Sequence, residues 1–263
     1  MKLNSKYIER NIKNVKVYSY DRVASTNDVA KTFAANGCEE GSIFCATRQT
    51  AGKGRLGRTF LSKKGGVYFS IVLRPQKDNA DPLFITVAAA VAAARAIQDV
   101  SGKNCDIKWV NDIYINNKKV CGILTEGSVG PDGAIDYAVL GVGINLFKPS
   151  GGFGANLPLA GSVFDKTSHI LCKRRVKADV IAKFTREFFA FYKNLNQKQF
   201  MNEYKIKSFL TGKQITFIKD GVECCGVVKG IDDDARLIVT IGENEHVLSH
   251  GEIQIVGMEQ LAI

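Results

Sequence analysis

The stretch TAGKGRLGR, Thr50 to Arg58, with Arg48 just ahead of it, brings four cations (Arg48, Lys53, Arg55 and Arg58) within eleven residues and threads three glycines between them. Glycine permits tight bends and exposes backbone amides, while guanidinium forks match phosphate and carboxylate oxygens. The chemistry on offer is the clamping of a small polyanion. Gly52 to Gly57 also fits the G-x-G-x-x-G pattern of dinucleotide-binding turns. That reading requires a helix directly after the glycines. The residues after Gly57, RTFLSKKGGVYFSIVLRP, read instead as a loop and then a strand, so NAD is not expected. A P-loop is excluded because no G-K-[ST] closes the stretch. The plain alternative is a basic surface turn.

Further groups could do chemistry. Lys108 lies in the apolar run DIKWV, where a lone charge is costly without a partner. It is either a functional cation or one half of a structural ion pair. Ser25, Thr26 and Asn27 offer hydroxyls, an amide and the unpaired N–H groups of a helix start, or else they simply cap that helix. Asn111-Asp112 could bind a nucleotide or metal, or turn the chain. Gly122, Gly141 and Gly143 suit backbone that lines a flat pocket, with sheet packing as the duller alternative. Trp109 reads as core.

These residues need elements to hold them. Ser25 to Asp28 opens a short helix that Asn36-Gly37 ends. GSIFCATRQT and GGVYFSIVLRP read as strands, the second stopped by Pro75. Asp81-Pro82 starts a long apolar helix running to Ser101-Gly102. CDIKWVNDIYINNKKVCGILTEGSV reads as a strand, a break at Asn111-Asp112 and a hairpin through Asn116-Asn117. Pro131-Asp132-Gly133 is a turn and AIDYAVLGVGINL a further strand. KPSGGFGANLPLAGS is a Gly/Pro-rich connector, and ADVIAKFTREFFAFYKNL has helical periodicity. From about Leu210 the pattern is short strands with turns at 219–221, 232–235 and 242–244, as in a small barrel.

The 263 residues, 45% of them hydrophobic, suffice for one sizeable core and an appended small domain. No run without charge approaches the roughly 18–20 residues of a membrane span. Nor does the N-terminus carry an apolar stretch of signal-peptide length. Seven cysteines form no C-x-x-C pair, as expected of reduced thiols in a cytoplasmic protein. His169, His246 and His250 lack any H-E-x-x-H spacing, so no zinc is expected. The net charge of +10 is uneven. Residues 209–263 hold 4 Lys/Arg against 9 Asp/Glu, leaving 32 against 17 in the remainder, or −5 against +15. Such asymmetry points to a polyanionic partner.

Four ordered motifs complete the sequence reading: STN at 25–27, RQTAGKGRLGRTF at 48–60, KWVNDI at 108–113 with KVCGILTE at 119–126, and LGVGIN at 140–145. Together they resemble the biotin protein ligases over about residues 17–147. GVVKGIDDDARLIV and SHGEI resemble that family's terminal SH3-like barrel. The resemblance implies an α+β fold in which a class II synthetase-like central mixed sheet is flanked by helices. It places the biotin/ATP-binding catalytic domain at 1–208 and the SH3-like barrel at 209–263. It implies two-step chemistry: biotin and ATP give biotinyl-5′-AMP, then an acceptor lysine takes the biotinyl group. It assigns biotin contacts to Ser25, Thr26, Asn27, Gln49, Lys53, Gly54, Arg55, Lys108, Gly122, Ile123, Leu124, Gly141 and Gly143. Nucleotide contacts fall to Lys53, Arg55, Arg58, Phe60, Asn111 and Asn145, and a Mg²⁺ contact to Asp112. Lys108, Arg55 and Arg58 carry the catalytic expectation, with Lys108 beside the biotin carboxylate and α-phosphate.

The implied partners are ATP, biotin and a biotin carboxyl carrier protein or carboxylase acceptor domain, with no membrane. About sixteen residues precede the first catalytic strand, too few for a helix-turn-helix, so no DNA partner is expected. A homodimer built by extending the central sheet is compatible with the resemblance. Three departures stand out: Lys53 for the usual arginine, Val110 for a proline, and Phe60 for an aromatic that is often tryptophan. Rival expectations are a lipoate–protein ligase and a non-catalytic nucleic-acid-binding protein.

Overall fold

The computed structural model describes residues 2–12, 15–76, 81–130, 135–165, 172–219, 221–249, 251 and 253–257. The turn expected at 131–133, His169 and His250 lie outside these residues.

A seven-stranded sheet carries the larger part of the fold. Its strands are β1 (Val17–Tyr20), β2 (Ile43–Ala46), β3 (Val67–Leu73), β4 (Asp106–Lys108), β5 (Asp112–Ile115), β6 (Lys118–Val129) and β7 (Ile135–Ile144). Their order is β1-β2-β3-β7-β6-β5-β4. Only β1 and β2 run parallel, so the sheet is mixed, as expected. Both faces are covered, which accounts for the unbroken burial of β3. Helix α2 (Thr26–Ala35) lays Ala30 and Ala34 on Phe44, Val72 and Val139 of one face. The alternate residues of the same strands, Ile43, Phe69, Ile71 and Leu73, enter the main core on the other face. There α3 (Pro82–Ser101) packs on β6 and on α4 (Lys173–Tyr192), and Phe69 meets Phe184 edge-on at 5.1 Å.

The caps fall where residue chemistry puts them. Ser25 accepts from the Asp28 N–H, and Asp81 from the Leu83 N–H at 2.8 Å with Pro82 in the first turn. Gly102, at φ +68°, ends α3 in the left-handed region. The β5–β6 hairpin turns through Asn116 and Asn117, both at positive φ, as the Asn-Asn pair predicts. Helix α3 is long and apolar enough to cross a membrane by length and composition, although Arg95 and Asp99 break its uncharged run. Residues Ile85 to Ala94 are all buried inside the protein, which explains their apolarity. Two short helices, α1 (Ser5–Asn11) and α5 (Met201–Lys207), carry no strong periodicity and are found only in the structure.

The terminal segment forms a second sheet: β8 (Gln214–Lys219), β9 (Val222–Ile231), β10 (Leu237–Ile241), β11 (Asn244–Leu248) and β12 (Ile253–Ile255). Its order is β11-β10-β9-β8-β12, and among the described residues the edges β11 and β12 do not pair. The closed barrel expected from sequence is therefore corrected to an open antiparallel sheet. Strand β12, three residues long, pairs with β8 alone, and β11 with β10 alone. This sheet docks on the first through α5 and the β4 turn. Lys205 pairs with Asp233 at 2.6 Å, Lys198 with Asp234 at 2.8 Å, and Trp109 Nε1 donates to the Ala235 carbonyl at 2.8 Å.

Candidate functional site

The glycine-rich stretch does not open a helix. It folds back on itself: Gly54 N–H donates to Arg58 O at 2.7 Å, Phe60 N–H to Gly52 O at 2.9 Å, and Lys53 bridges Thr59. The glycines serve different ends. A β-carbon on Gly52 would lie 2.4 Å from both the Phe60 carbonyl and Ser62 Oγ, so only glycine lets the two legs close. Gly57 supplies a φ of +75°. The loop tip, Arg55–Gly57, is a single 3-10 turn, and Leu56 at its apex is 75% exposed.

This loop walls a cavity of about 250 Å³. The start of α2 forms one side with Ser25, Thr26, Asn27 and the neighbouring Gln49. Gly122, Ile123 and Leu124 of β6 and Gly141 and Gly143 of β7 form the floor. Lys53, Gly54, Arg55, Arg58 and Phe60 come from the loop, and Lys108, Asn111 and Asp112 from the β4–β5 turn. The structure thus brings together every residue expected at the site except Asn145. That side chain is buried outside the cavity, and its backbone ties Val120 to Val163.

Sequence reasoning missed Lys119, Thr59, Leu157 and Ile253, which also line the cavity. Lys119 comes just after the Asn-Asn turn, where a lysine reads as a solvated turn charge. Pairing of β5 with β6 instead turns it inward. Its Nζ lies 2.7 Å from Asp112 Oδ2 and 6.0 Å from the centre of the Phe60 ring. Leu157 and Ile253 arrive from remote segments and leave no local signal.

Five cations line the cavity against one carboxylate, Asp112. Arg55 Nη1 donates to Asn111 Oδ1 at 3.3 Å, and Asn111 Nδ2 donates to Ile123 O at 2.7 Å, which pins the loop tip to the floor. Lys53 pairs with Asp28 of α2, and that hydrogen bond raises its pKa above 10.5. Lys108 Nζ donates to the Ile253 carbonyl at 2.8 Å, so this lysine joins the two sheets at the cavity rim. Asp112 Oδ1 is buried without a hydrogen-bond partner. An orphaned carboxylate oxygen suits a hydrated Mg²⁺ held mainly by phosphates. Among the described residues no group of three His, Cys, Asp or Glu could hold a metal ion.

The floor glycines make room for protein as well as ligand. A β-carbon on Gly141 would fall 2.1 Å from Asn27 Oδ1, and one on Gly143 2.7 Å from the Phe60 ring. A β-carbon on Gly122 would lie 3.0 Å from the other edge of that ring. Trp109 is buried and donates to Ala235, as its core reading expects, and it also lines the cavity. All seven cysteines are free, and burial pushes the Cys45 and Cys105 thiols up to about 12, leaving both poor nucleophiles at neutral pH.

The model of the biotin/lipoate A/B protein ligase family matches residues 19–145. The bifunctional ligase/repressor BirA of Bacillus subtilis (strain 168) is 41% identical over 128 residues, which are 48% of this chain and 39% of that protein. The chain therefore matches about two fifths of the length of that relative. The biotin–[acetyl-CoA-carboxylase] ligase of Paracoccus denitrificans is 29% identical over 242 residues, 88% of this chain and 97% of that protein. The structure of biotin protein ligase from Aquifex aeolicus in complex with biotin and ATP superposes with a TM-score of 0.75 at 24% identity. It covers 93% of this chain and 99% of that one, and it shows the fold.

Proposed function

Taking as premise that residues 19–145 form a domain of the biotin/lipoate A/B protein ligase family, we propose that this chain joins biotin to a lysine of a biotin carboxyl-carrier domain at the expense of ATP. One observation carries the proposal. A single cavity joins the neutral polar wall of Ser25, Thr26, Asn27 and Gln49 to five cations. The wall suits an uncharged polar head group, and the cations suit a carboxylate meeting a triphosphate.

In the first step the biotin carboxylate attacks the α-phosphorus, giving biotinyl-5′-AMP and pyrophosphate. The reactants repel one another, and fixed cations offset that repulsion without reorganising. Lys119 is the cation we assign to the meeting point, because it stands over the floor beside Gly122 and Phe60. Lys108, bound to the Ile253 carbonyl, neutralises charge at the rim and holds the terminal sheet in place. Arg55 and Arg58 close over the phosphates. Asp112 is the residue to hold Mg²⁺, which when bound neutralises phosphate charge. Phe60 lies across Gly122 and Gly143 as an apolar platform between the two ligands. Asn145 acts through the backbone it positions. In the second step the acceptor lysine attacks the acyl carbon and releases AMP.

The same proposal divides the chain into a catalytic domain at 1–208 and a terminal domain at 209–263, the latter completing the cavity with Ile253. It places the protein in the cytoplasm and requires no DNA. It includes a homodimer formed through β1, an edge of the larger sheet. The test is mass spectrometry of an acceptor domain incubated with the protein, ATP and biotin. A product heavier by one biotinyl group is expected. An unmodified acceptor, or one modified by lipoate alone, would overturn the assignment.

A further inference from the structure

Tyr204 sits on α5, wholly buried, and does not itself line the cavity. A phenol hydroxyl taken that far from water needs a partner. It donates to the Val110 carbonyl at 3.1 Å, across 94 residues of sequence. Val110 is buried too, so solvent offers its carbonyl little in exchange. The helix that carries Tyr204 is clamped on either side of it. Arg95 of α3 donates to Glu203 Oε2 at 2.9 and 2.6 Å, and Lys205 pairs with Asp233 of the terminal segment at 2.6 Å.

The hydroxyl holds the start of the turn that faces the cavity. The Val110 carbonyl and the Asn111 N–H share one rigid peptide plane, so fixing the first orients the second. Strand β6 grips the same residue by other atoms. Ile123 N–H donates to Asn111 O at 3.1 Å, and Asn111 Nδ2 donates to Ile123 O at 2.7 Å. With its NH₂ committed there, Asn111 presents Oδ1 to Arg55 Nη1 at the loop tip, 3.3 Å away. Asp112 follows directly, with its Oδ2 on Lys119 at 2.7 Å. Burial drives the Tyr204 pKa well above its ordinary value, and the charges of Arg55 and Asp112 act on the same hydroxyl with opposite signs. A single buried oxygen therefore stands behind both faces of the turn.

We propose that Tyr204 is a positioning residue for the nucleotide half of the site: from outside the cavity it fixes the Val110–Asn111 peptide, and through it the Asn111-Asp112 turn that meets the phosphates. The inference rests on the ligase reading and adds to it a residue that acts on one substrate. Biotin's polar wall is built separately, with Gln49 accepting the Thr26 N–H at 2.7 Å and donating to Ser62 at 2.8 Å. The loop also keeps its own tie to α2 through Lys53 and Asp28. Loss of the Tyr204 hydroxyl therefore loosens the nucleotide side and leaves the biotin side in place.

The test uses Tyr204→Phe in the full chain, which keeps the ring in the core and removes only the oxygen. KM for ATP in biotinyl-AMP formation should rise about tenfold, the worth of one hydrogen bond between uncharged groups. Biotin affinity, measured by calorimetry without nucleotide, should stay within twofold. The melting temperature should fall by a few degrees, because the Val110 carbonyl is left buried without its donor. Tyr192→Phe is the control for stability alone. Tyr192 of α4 donates to Glu40 at 3.0 Å and lies outside the cavity lining, so its loss should lower the melting temperature and leave KM for ATP unchanged. An unchanged KM for ATP in Tyr204→Phe would overturn the inference alone and leave Tyr204 a core residue. An equal rise in Tyr192→Phe, or a loss of biotin affinity as large as that of ATP, would do the same. An unaltered protein that makes no adenylate from biotin and ATP would bring down the ligase reading and this inference with it.

Discussion

Of the three lysines that line the cavity, Lys108 and Lys119 are set apart by their partners. Lys119 Nζ meets a carboxylate, Asp112, which a triphosphate or its metal would displace, whereas Lys108 Nζ meets a backbone carbonyl of the terminal sheet. Lys119→Ala should slow single-turnover adenylate formation at least a hundredfold with the melting temperature little changed, since fixed charge at a developing anion is worth about 3 kcal/mol. Lys108→Ala should lower the melting temperature and slow the same step less. Rapid-quench assays and thermal melts of the two variants decide it; the reverse ranking would return the central role to Lys108. The apolar run DIKWV marks Lys108 as costly, and that much is legible, because a charge in a strand must find a partner. That the partner is Ile253, 145 residues away, is not written locally. Lys119 is silent for the opposite reason: beside Asn116-Asn117 it looks like a turn lysine. The floor glycines were readable as places intolerant of side chains. Only the folded chain shows that Asn27 and Phe60 fill the space over Gly141 and Gly143.

Elements are more legible than contacts. Caps at Ser25 and Asp81, the glycine stop at Gly102 and the Asn-Asn turn all arise from backbone chemistry within about four residues, and all are found. The open terminal sheet was not foreseen, because whether the last strand closes a barrel depends on pairing between distant edges. Helix α4 shows a further feature hidden in its periodicity. Lys177 is buried and donates to the Gly66 carbonyl at 2.6 Å. Burial, with help from the charges of Lys64 and Lys173, lowers its pKa from 10.5 to about 8. Below pH 8 both folded and unfolded chains carry this proton, and the folded state bears the cost of burying it. Between about pH 8 and 10.5 the folded state has released the proton while the unfolded chain still holds it, so the penalty fades as pH rises. Lys177→Met should therefore gain stability relative to the unaltered protein at about pH 7, and that advantage should shrink by roughly 3 kcal/mol by about pH 10.5. Denaturant titrations at the two pH values check this; an advantage independent of pH would mean that Lys177 is not charged where it sits.

Across the whole molecule, charge is sorted. The terminal segment is net −5 and the remainder net +15. Part of the acidic excess is spent internally, where Asp233 and Asp234 meet Lys205 and Lys198. The basic excess of the larger part remains for partners. If the acceptor domain is acidic, its encounter with this chain is steered, and steering is screened with a Debye length of about 10 Å at 0.1 M salt. Raising salt from about 50 to about 500 mM should increase KM for the acceptor domain severalfold and change KM for biotin little. Equal sensitivity of both would show that the charge serves the small ligands alone. The sign of this asymmetry was readable by counting; where it is neutralised was not. The cavity wall, moreover, begins at Ser25 and is completed by Ile253. A polypeptide leaving the ribosome exposes the first of these long before the second. On the proposed reading, neither biotin nor nucleotide would find its full complement of contacts on a half-made chain, so these ligands would act as keystones set after the arch has risen, stabilising the finished protein without guiding the early stages of its assembly.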